Sequence, residues 1–219
     1  MSPAPPFDLQ TAADDIVVRH WYTNHGPVLL GLEAALAQAH PCAGAVGLCN
    51  HAAGLFVWAA TFDMSTGLYT HPDLATVAEA AHFACAARAA TTHDAGWHLV
   101  PLRHPTLPTG RRLAVATVAD VHARDFSEHL LRAEATFVQT GSSPLSAELG
   151  APGGVVFVRN EAVLNMLRTA RYHHNGEHIV DVPVRFNLKM SEIQAVAAVA
   201  ELLPPAEARA LIHRLSPHG

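Results

Sequence analysis

The stretch Ala43-Gly-Ala-Val-Gly-Leu-Cys49, together with the apolar run Ala52–Ala60 that follows it, decides the fold class of this chain. The first segment is short and continuously apolar, which is typical of a strand that is buried on both faces of a sheet. The second segment predicts an apolar helix. A buried strand followed directly by a helix indicates one unit of a layered α/β structure.

Other segments continue the alternation of helices and short apolar strands. Pro27 suits the first turn of a helix, and the helix it opens is predicted to end near His40-Pro41, because a residue before proline is pushed out of the α region. Asn160 is a candidate N-cap, and Ser191-Glu-Ile-Gln194 fits a capping box. Strands are predicted at Trp97–Leu102, Arg112–Val118, Ala135–Gln139 and Val155–Val158, and helices at Leu74–Ala90, Phe126–Ala133, Asn160–Arg171, Ser191–Leu203 and Ala206–Leu215. We therefore predict an α/β fold with a mostly parallel sheet flanked by helices.

The chain is predicted to form one domain with an N-terminal arm. Residues 1–26 are expected to be irregular, because Pro3, Pro5 and Pro6 prevent an early helix. Residues 27–219 then form a single domain, which is large enough to bury a substantial core.

Composition and charge exclude several classes of function. The 219 residues carry a formal net charge of −5 and contain no run of Lys or Arg, which argues against binding to nucleic acid or to an anionic membrane surface. No apolar stretch approaches the roughly 20 residues of a membrane span, and the first residues lack the pattern of a signal peptide. Cys42, Cys49 and Cys85 are widely spaced and odd in number, so we expect buried thiols in a reducing cytoplasm.

Six segments of the chain, taken in order, carry a family resemblance. They are Asn24-His-Gly-Pro27 with Leu32-Glu-Ala-Ala-Leu36, Gly44-Ala-Val-Gly-Leu-Cys-Asn50, Ala135-Thr-Phe137, Gly153-Gly-Val-Val-Phe-Val158, Arg171-Tyr-His173, and Phe186-Asn-Leu-Lys-Met-Ser-Glu-Ile-Gln-Ala195. Together they resemble the DegT/DnrJ/StrS sugar aminotransferases, which are pyridoxal phosphate (PLP) enzymes of fold type I. The last match is long and specific. The resemblance implies a fold-type-I large domain, truncated because the chain stops soon after the Ser-Glu-Ile-Gln helix, where family members continue into a smaller C-terminal domain.

The chain departs from the family pattern at positions whose residues bind the cofactor or react with it. The position of the family's lysine falls on about Ser143, and serine cannot form an imine with an aldehyde. The family's Asn-Gly-Thr turn, which holds the cofactor phosphate, is Asn50-His51-Ala52 here, so a Cβ is added and a hydroxyl is lost. Asp120 is the candidate for the aspartate that pairs with the pyridinium nitrogen. We therefore expect no lysine-linked PLP.

The only lysine of the chain, Lys189, does not restore this chemistry. The resemblance aligns Lys189 with an arginine that, together with the preceding Asn, here Asn187, helps bind the cofactor phosphate of the neighbouring subunit. Its implied role is electrostatic. The remaining cofactor-binding candidates are thus Asn50, Asn187 and Lys189.

Three residues remain as candidates for acid/base or nucleophilic chemistry: His51, Asp120 and Ser143. His51 follows a predicted strand, at the end where α/β folds place ligands, and histidine titrates near neutral pH. The densest cluster of possible metal ligands, His173-His174-Asn-Gly-Glu-His178, matches no helix-based pair such as His-Glu-x-x-His, and we expect no metal site.

Two classes of function remain open. In the first, the chain is a degenerate aminotransferase homologue in bacterial amino-sugar or natural-product biosynthesis, and acts as a non-catalytic partner. It would form a homodimer, or a heterodimer with a full-length relative, because members of the family pair through this domain. The segment Asn187–Ala195, which in the family reaches across the dimer, is nearly intact here and favours this role. In the second, the remnant pocket performs cofactor-free acid/base chemistry on a small metabolite. A lysine-less, PLP-dependent sugar dehydratase is a further alternative.

Overall fold

The computed structural model describes residues 9–20, 26–61, 68–74, 96–101, 112–116, 130–141, 152–171 and 188–215. Its helices are α1 (Leu9–Arg19), α2 (Pro27–Ala39), α3 (His51–Thr61), α4 (Glu161–Ala170), α5 (Glu192–Leu202) and α6 (Pro205–Leu215), with a 3-10 turn at Pro72–Leu74. Its strands are β1 (Gly44–Leu48), β2 (Leu68–Thr70), β3 (Trp97–Pro101), β4 (Arg112–Ala116), β5 (Ala135–Thr140) and β6 (Gly153–Val158). None of the described helices is both long enough and apolar enough to span a membrane.

The described strands form one six-stranded sheet in the order β1-β6-β5-β4-β3-β2. The pairs β2–β3, β3–β4 and β4–β5 are parallel, whereas β6 is antiparallel to both of its neighbours, β1 and β5. Among the described strands, β6 alone therefore runs against the common direction. The prediction of a mostly parallel sheet is confirmed, and the carboxyl ends of β1 and β5 lie at the same edge.

Helices cover both faces of the sheet, and each face has its own apolar core. On one face α1, α2, α5 and α6 pack against alternate strand residues such as Ala45, Val138 and Val155. On the other face α3 and α4 pack against the intervening residues, such as Val46. The alternation follows from the period of two residues in a strand. Three large aromatic side chains fill the second core in edge-to-face contacts, Trp58 with Trp97 and with Phe137.

The local helix signals of the sequence are confirmed. The Asn160 side chain accepts hydrogen bonds from the N–H groups of Ala162 and Val163 at the start of α4. Ser191 and Gln194 form both hydrogen bonds of the predicted capping box at the start of α5. Pro27 is the first residue of α2. These predictions succeeded because each depends on residues that lie close together in the chain.

The structure differs from the prediction in two places. The arm expected to be irregular contains α1, because its prolines precede the helix, and Ala12, Ala13 and Ile16 give it a buried face against the first core. Strand β2 was not predicted, because a strand of three residues is too short to show an alternating or continuous apolar pattern. The helix predicted over Leu74–Ala90 lies outside the described residues apart from Leu74, which ends the 3-10 turn.

Candidate ligand site at the end of the first strand

The predicted phosphate turn lies at the carboxyl end of β1 and leads into α3. The side-chain oxygen of Asn50 accepts a hydrogen bond from the Ala53 N–H at 2.7 Å. This contact caps the first turn of α3, whose N–H groups have no partner within the helix. The Asn50 side chain therefore caps the helix, and the Ala53 N–H that it binds is not available to a ligand.

Gly154 on β6 lies directly against this turn. It pairs with Leu48 of β1 on one side and with Gln139 of β5 on the other. A Cβ atom added to Gly154 would lie 2.3 Å from the backbone nitrogen of His51 and 2.5 Å from the carbonyl carbon of Asn50. The turn is thus held in backbone-to-backbone contact with the sheet, which only glycine allows at this position.

The His51 imidazole is partly buried at the first position of α3. Neither ring nitrogen has a hydrogen-bond partner of good geometry among the described residues. Burial lowers the pKa of His51, and the nearby Gln139 side chain opposes this effect in part. The ring is therefore neutral near pH 7 and offers one donor and one acceptor.

Helix α5 fixes the turn from the other face of the sheet. The Gln194 side-chain amide donates hydrogen bonds to the Cys49 carbonyl, at 3.1 Å, and to the Pro152 carbonyl. One side chain thus connects the end of β1 to the residue that precedes β6. The same residue closes the capping box of its own helix, so its position is fixed at both ends.

Lys189 lies beside the turn within the same chain. Its backbone forms an isolated antiparallel bridge with Leu48, and the Cys49 N–H donates to the Leu188 carbonyl at 2.9 Å. The structure therefore brings two of the three cofactor-binding candidates, Asn50 and Lys189, to one end of β1. The third, Asn187, lies outside the described residues, as do the catalytic candidates Asp120 and Ser143.

A buried ion pair that the sequence did not predict covers the open edge of β1. Both guanidinium amino groups of Arg171 contact the Glu33 carboxylate, one of them at 3.4 Å. Gly47 on β1 donates its N–H to Glu33 at 2.8 Å and accepts from Arg171 at 3.0 Å. The pair thereby supplies the hydrogen bonds that a neighbouring strand would otherwise provide at this edge.

A second unpredicted contact fixes the start of α2. Glu192 is buried, and its carboxylate accepts hydrogen bonds from the N–H groups of Val28, at 2.9 Å, and Leu29, at 3.0 Å. Gly26 gives this side chain its space, since a Cβ there would lie 2.1 Å from the Glu192 carboxyl carbon. Burial raises the pKa of Glu192, and the two backbone donors oppose the shift in part.

The sequence contained a signal for both contacts. Glu33, Arg171, Glu192 and Gln194 all belong to segments that resemble the aminotransferase family. The resemblance marked the segments, but it did not show that these side chains bind one another across the fold. Glu33 and Arg171 are 138 positions apart in the chain, so no local pattern could pair them.

No group of three or more His, Cys, Asp or Glu residues that could hold a metal ion occurs in the described part of the chain. The cluster His173–His178 falls outside it. Cys42 and Cys49 are free, partly buried thiols, and burial raises the pKa of both, so neither is a reactive thiolate. Cys85 is not among the described residues.

The fold of this chain is similar to that of several solved aminotransferases. PseC of Helicobacter pylori, an aminotransferase involved in the biosynthesis of pseudoaminic acid, is 12% identical with a TM-score of 0.68; the match covers 95% of this chain and 65% of PseC. The sugar aminotransferase CalS13 of Micromonospora echinospora is 14% identical with a TM-score of 0.65, and the match covers 98% of this chain and 69% of CalS13. DesI, solved with its TDP-sugar product, is 18% identical with a TM-score of 0.62, and the match covers 94% of this chain and 58% of DesI.

The likeness confirms the fold that the resemblance implied, that of the sugar aminotransferases. The chain spans about two thirds of the length of these proteins or less. No protein-family model and no curated protein sequence matches the chain.

The described residues of the turn do not fit the phosphate of PLP. In the family pattern the turn offers backbone N–H groups and a threonine hydroxyl. Here Ala52 has no hydroxyl, Asn50 takes up the Ala53 N–H, and the His51 nitrogen packs against Gly154. The described residues therefore support no reaction step through this cofactor.

Proposed function

We propose that this chain is a degenerate homologue of the sugar aminotransferases that acts in small-molecule biosynthesis as a non-catalytic partner of an active, full-length relative. One observation carries the proposal. The residues of the family-like segments form buried contacts that hold the fold together, whereas the phosphate turn does not fit the cofactor. A chain that keeps its scaffold and loses its cofactor site retains the capacity to bind a partner.

The absence of a suitably placed amine supports the same proposal. Transamination through PLP requires a lysine that forms an imine, and the family position corresponds to about Ser143. The single lysine, Lys189, is partly buried and has its backbone in the pairing with Leu48 at the end of β1. This pairing fixes the Lys189 backbone beside the turn, at a position that does not correspond to the lysine of the family.

Exposed apolar side chains indicate where a partner could bind. Val17 and Val18 on α1 are 52% and 72% exposed, and Leu30 on α2 is 47% exposed. Both helices cover the same face of the sheet. Large apolar side chains in water favour burial by association. We assign the contact with the partner to the outer surface of these two helices.

Co-expression with the nearest full-length aminotransferase relative of the same genome tests the proposal. We expect the two chains to co-purify, to elute as one complex in size-exclusion chromatography with light scattering at micromolar concentration, and the activity of the relative to differ between the complex and the relative alone. Val18→Glu should weaken the complex at least tenfold. Leu131→Glu is the matched control, because Leu131 is similarly exposed at 58% but lies outside α1 and α2.

Two results would contradict the proposal. The first is a chain that stays a stable monomer beside its relative and leaves the activity of that enzyme unchanged. The second is a stoichiometric PLP aldimine on this chain alone, which borohydride would trap on Lys189 and which Lys189→Arg would abolish.

His51 supports a second candidate function, cofactor-free acid/base catalysis on a small metabolite. Its ring is neutral near pH 7 and lies where α/β folds bind ligands. If His51→Gln abolishes product formation in the pathway while association with the relative is absent, this second function replaces the first.

A further inference from the structure

A small cavity lies where α1 meets the start of α2 and the helices α5 and α6. Its wall is largely apolar and includes Ile16, Val28, Val196, Ile212 and Leu215. The enclosed part of the cavity measures about 20 Å³. This is room for one group of the size of a water molecule or an ammonium group.

Glu192 lines this cavity and carries a buried charge without a cationic partner. The residue is 1% exposed, and within the described part of the chain its carboxylate is bound only by the N–H groups of Val28 and Leu29. A carboxylate can accept about four hydrogen bonds, so capacity remains beyond these two. Burial raises the pKa of Glu192, and the two backbone donors oppose the shift only in part, which means that its charge is incompletely compensated.

Two further charged side chains line the cavity, and both belong to α1. Asp15 and Arg19 are partly exposed and have interactions of their own, but neither is a partner of Glu192 in the described structure. They contribute one charge of each sign, so the Glu192 carboxylate leaves the cavity with an excess of negative charge. The cavity is therefore complementary to a small cation that also has an apolar part.

We propose that this cavity binds a primary ammonium group on a short aliphatic stem, with the ammonium on the Glu192 carboxylate and the stem against the apolar wall. An ammonium group donates up to three hydrogen bonds, and hydrogen bonds between two charged groups are the strong ones. The aliphatic stem would be removed from water by side chains such as Val196 and Ile212. The inference does not depend on the partner role, and no residue of the turn at the end of β1 lines the cavity.

Methyl-detected NMR of the intact chain, labelled at isoleucine, tests the site. Of the four isoleucines, Ile16 and Ile212 line the cavity, Ile193 does not, and Ile179 lies outside the described residues. Substitution of each by Val assigns the signals. The probes, applied near pH 7, are n-butylammonium, its neutral analogue 1-butanol and the anion butyrate. We expect n-butylammonium to shift the signals of Ile16 and Ile212 but not that of Ile193, and to bind at least tenfold more tightly than either other probe.

Two variants separate the charge in the cavity from the net charge of the protein. Glu192→Gln keeps the shape of the side chain and removes its charge, so the preference for n-butylammonium over 1-butanol should be lost. Asp14→Asn is the matched control, because it removes the same charge from an exposed position on α1 that does not line the cavity, and the preference should remain.

Three outcomes would overturn the proposal, and two of them need only the wild-type chain. Equal binding of n-butylammonium and 1-butanol would show a purely apolar cleft. Isoleucine signals that respond to none of the three probes would show that the cavity holds water only. A preference for n-butylammonium that persists in Glu192→Gln would assign the attraction to a group other than the buried carboxylate.

Discussion

Two regions near β1 use their polar groups in opposite ways. The buried polar frame, which we define as Glu33, Arg171, Glu192 and Gln194, binds backbone groups of β1, α2 and the start of β6. The turn Asn50–Ala52 lies only a few ångströms beyond it and leaves the His51 ring nitrogens without well-aligned partners in the described structure. The four side chains of the frame match the family pattern that this chain resembles, whereas the turn departs from that pattern.

The energetics of burial explain this difference. A buried charge that loses its partner destabilises a protein strongly, because its desolvation is no longer compensated. A partly buried neutral imidazole costs much less, since a water molecule can complete its hydrogen bonds. Substitutions in the turn should therefore cost less stability than substitutions in the frame.

The largest effect is expected from Arg171→Met. The change leaves the Glu33 carboxylate buried with only the Gly47 N–H and the more distant Arg168, whose amino group is 4.0 Å away. Breaking a buried ion pair in this way costs about 3–5 kcal/mol of the free energy of unfolding. Urea denaturation followed by the fluorescence of the buried Trp58 and Trp97 measures the loss.

Two variants control for this effect. Arg168→Met removes a partly exposed charge and should cost less than about 1 kcal/mol. Replacing Glu33 and Arg171 together by Met should recover part of the loss, because no unpaired charge is left buried. An Arg171→Met protein as stable as Arg168→Met would show that the frame does not hold the fold.

The next largest loss of stability is expected at one of two neighbouring glycines on β6. Gly154→Ala places a Cβ against the backbone of the turn, at 2.3 Å from the His51 nitrogen, and backbone cannot move aside cheaply. Gly153→Ala meets only side chains, the nearest being the ends of Met190 and Thr140 at 2.9 Å. We expect a loss of about 3 kcal/mol for Gly154→Ala and about 1 kcal/mol for Gly153→Ala, the upper and lower ends of overpacking.

The same denaturation experiment measures both glycine variants. NMR of Gly154→Ala should also show a displaced His51 signal, which Gly153→Ala should leave in place. Equal losses for the two variants would mean that the turn adapts to the sheet, and that its close approach to Gly154 does not define the site.

The contrast between local and distant contacts also explains how much the sequence could predict. The caps at Asn160 and Ser191 were predicted because cap and helix are adjacent in the chain. The alternation of apolar strands and helices predicted the layered fold, and the family-like segments predicted its type. Helix α1 was not predicted because the prolines before it indicate an irregular arm, although Ala12, Ala13 and Ile16 have helical spacing.

The candidate site could be predicted only in part. His51 and Asn50 were identified from the turn, and the structure places Lys189 beside them. The closeness of Gly154 and the contact of Gln194 with two separate segments depend on strand register, which the sequence does not encode locally. The segment Asn187–Ala195 was interpreted as an interface element, yet Ser191, Glu192 and Gln194 all bind partners within the chain.

The smallest effect concerns pH, and its sign differs between the two regions. Because burial raises the pKa of Glu192, the native state takes up this proton at a higher pH than the unfolded chain. Glu192 therefore adds stability as pH falls through its native pKa towards the unfolded value near 4.5. Because burial lowers the pKa of His51, the unfolded chain is protonated first, so His51 removes stability as pH falls below about 6.5.

Urea denaturation between pH 8 and pH 5 gives the free energy of unfolding of wild type, Glu192→Gln and His51→Gln. The difference between wild type and each variant isolates one residue, because the contributions of the other titrating groups cancel. Relative to Glu192→Gln, wild type should gain stability as the pH falls, whereas relative to His51→Gln it should lose stability. The His51 difference should be the smaller, because its ring is only partly buried and Gln139 opposes the shift. A gain of stability relative to both variants as the pH falls would mean that the imidazole is stabilised in its charged form. His51 would then belong to an anion site after all, and the distinction between the frame and the turn would fail.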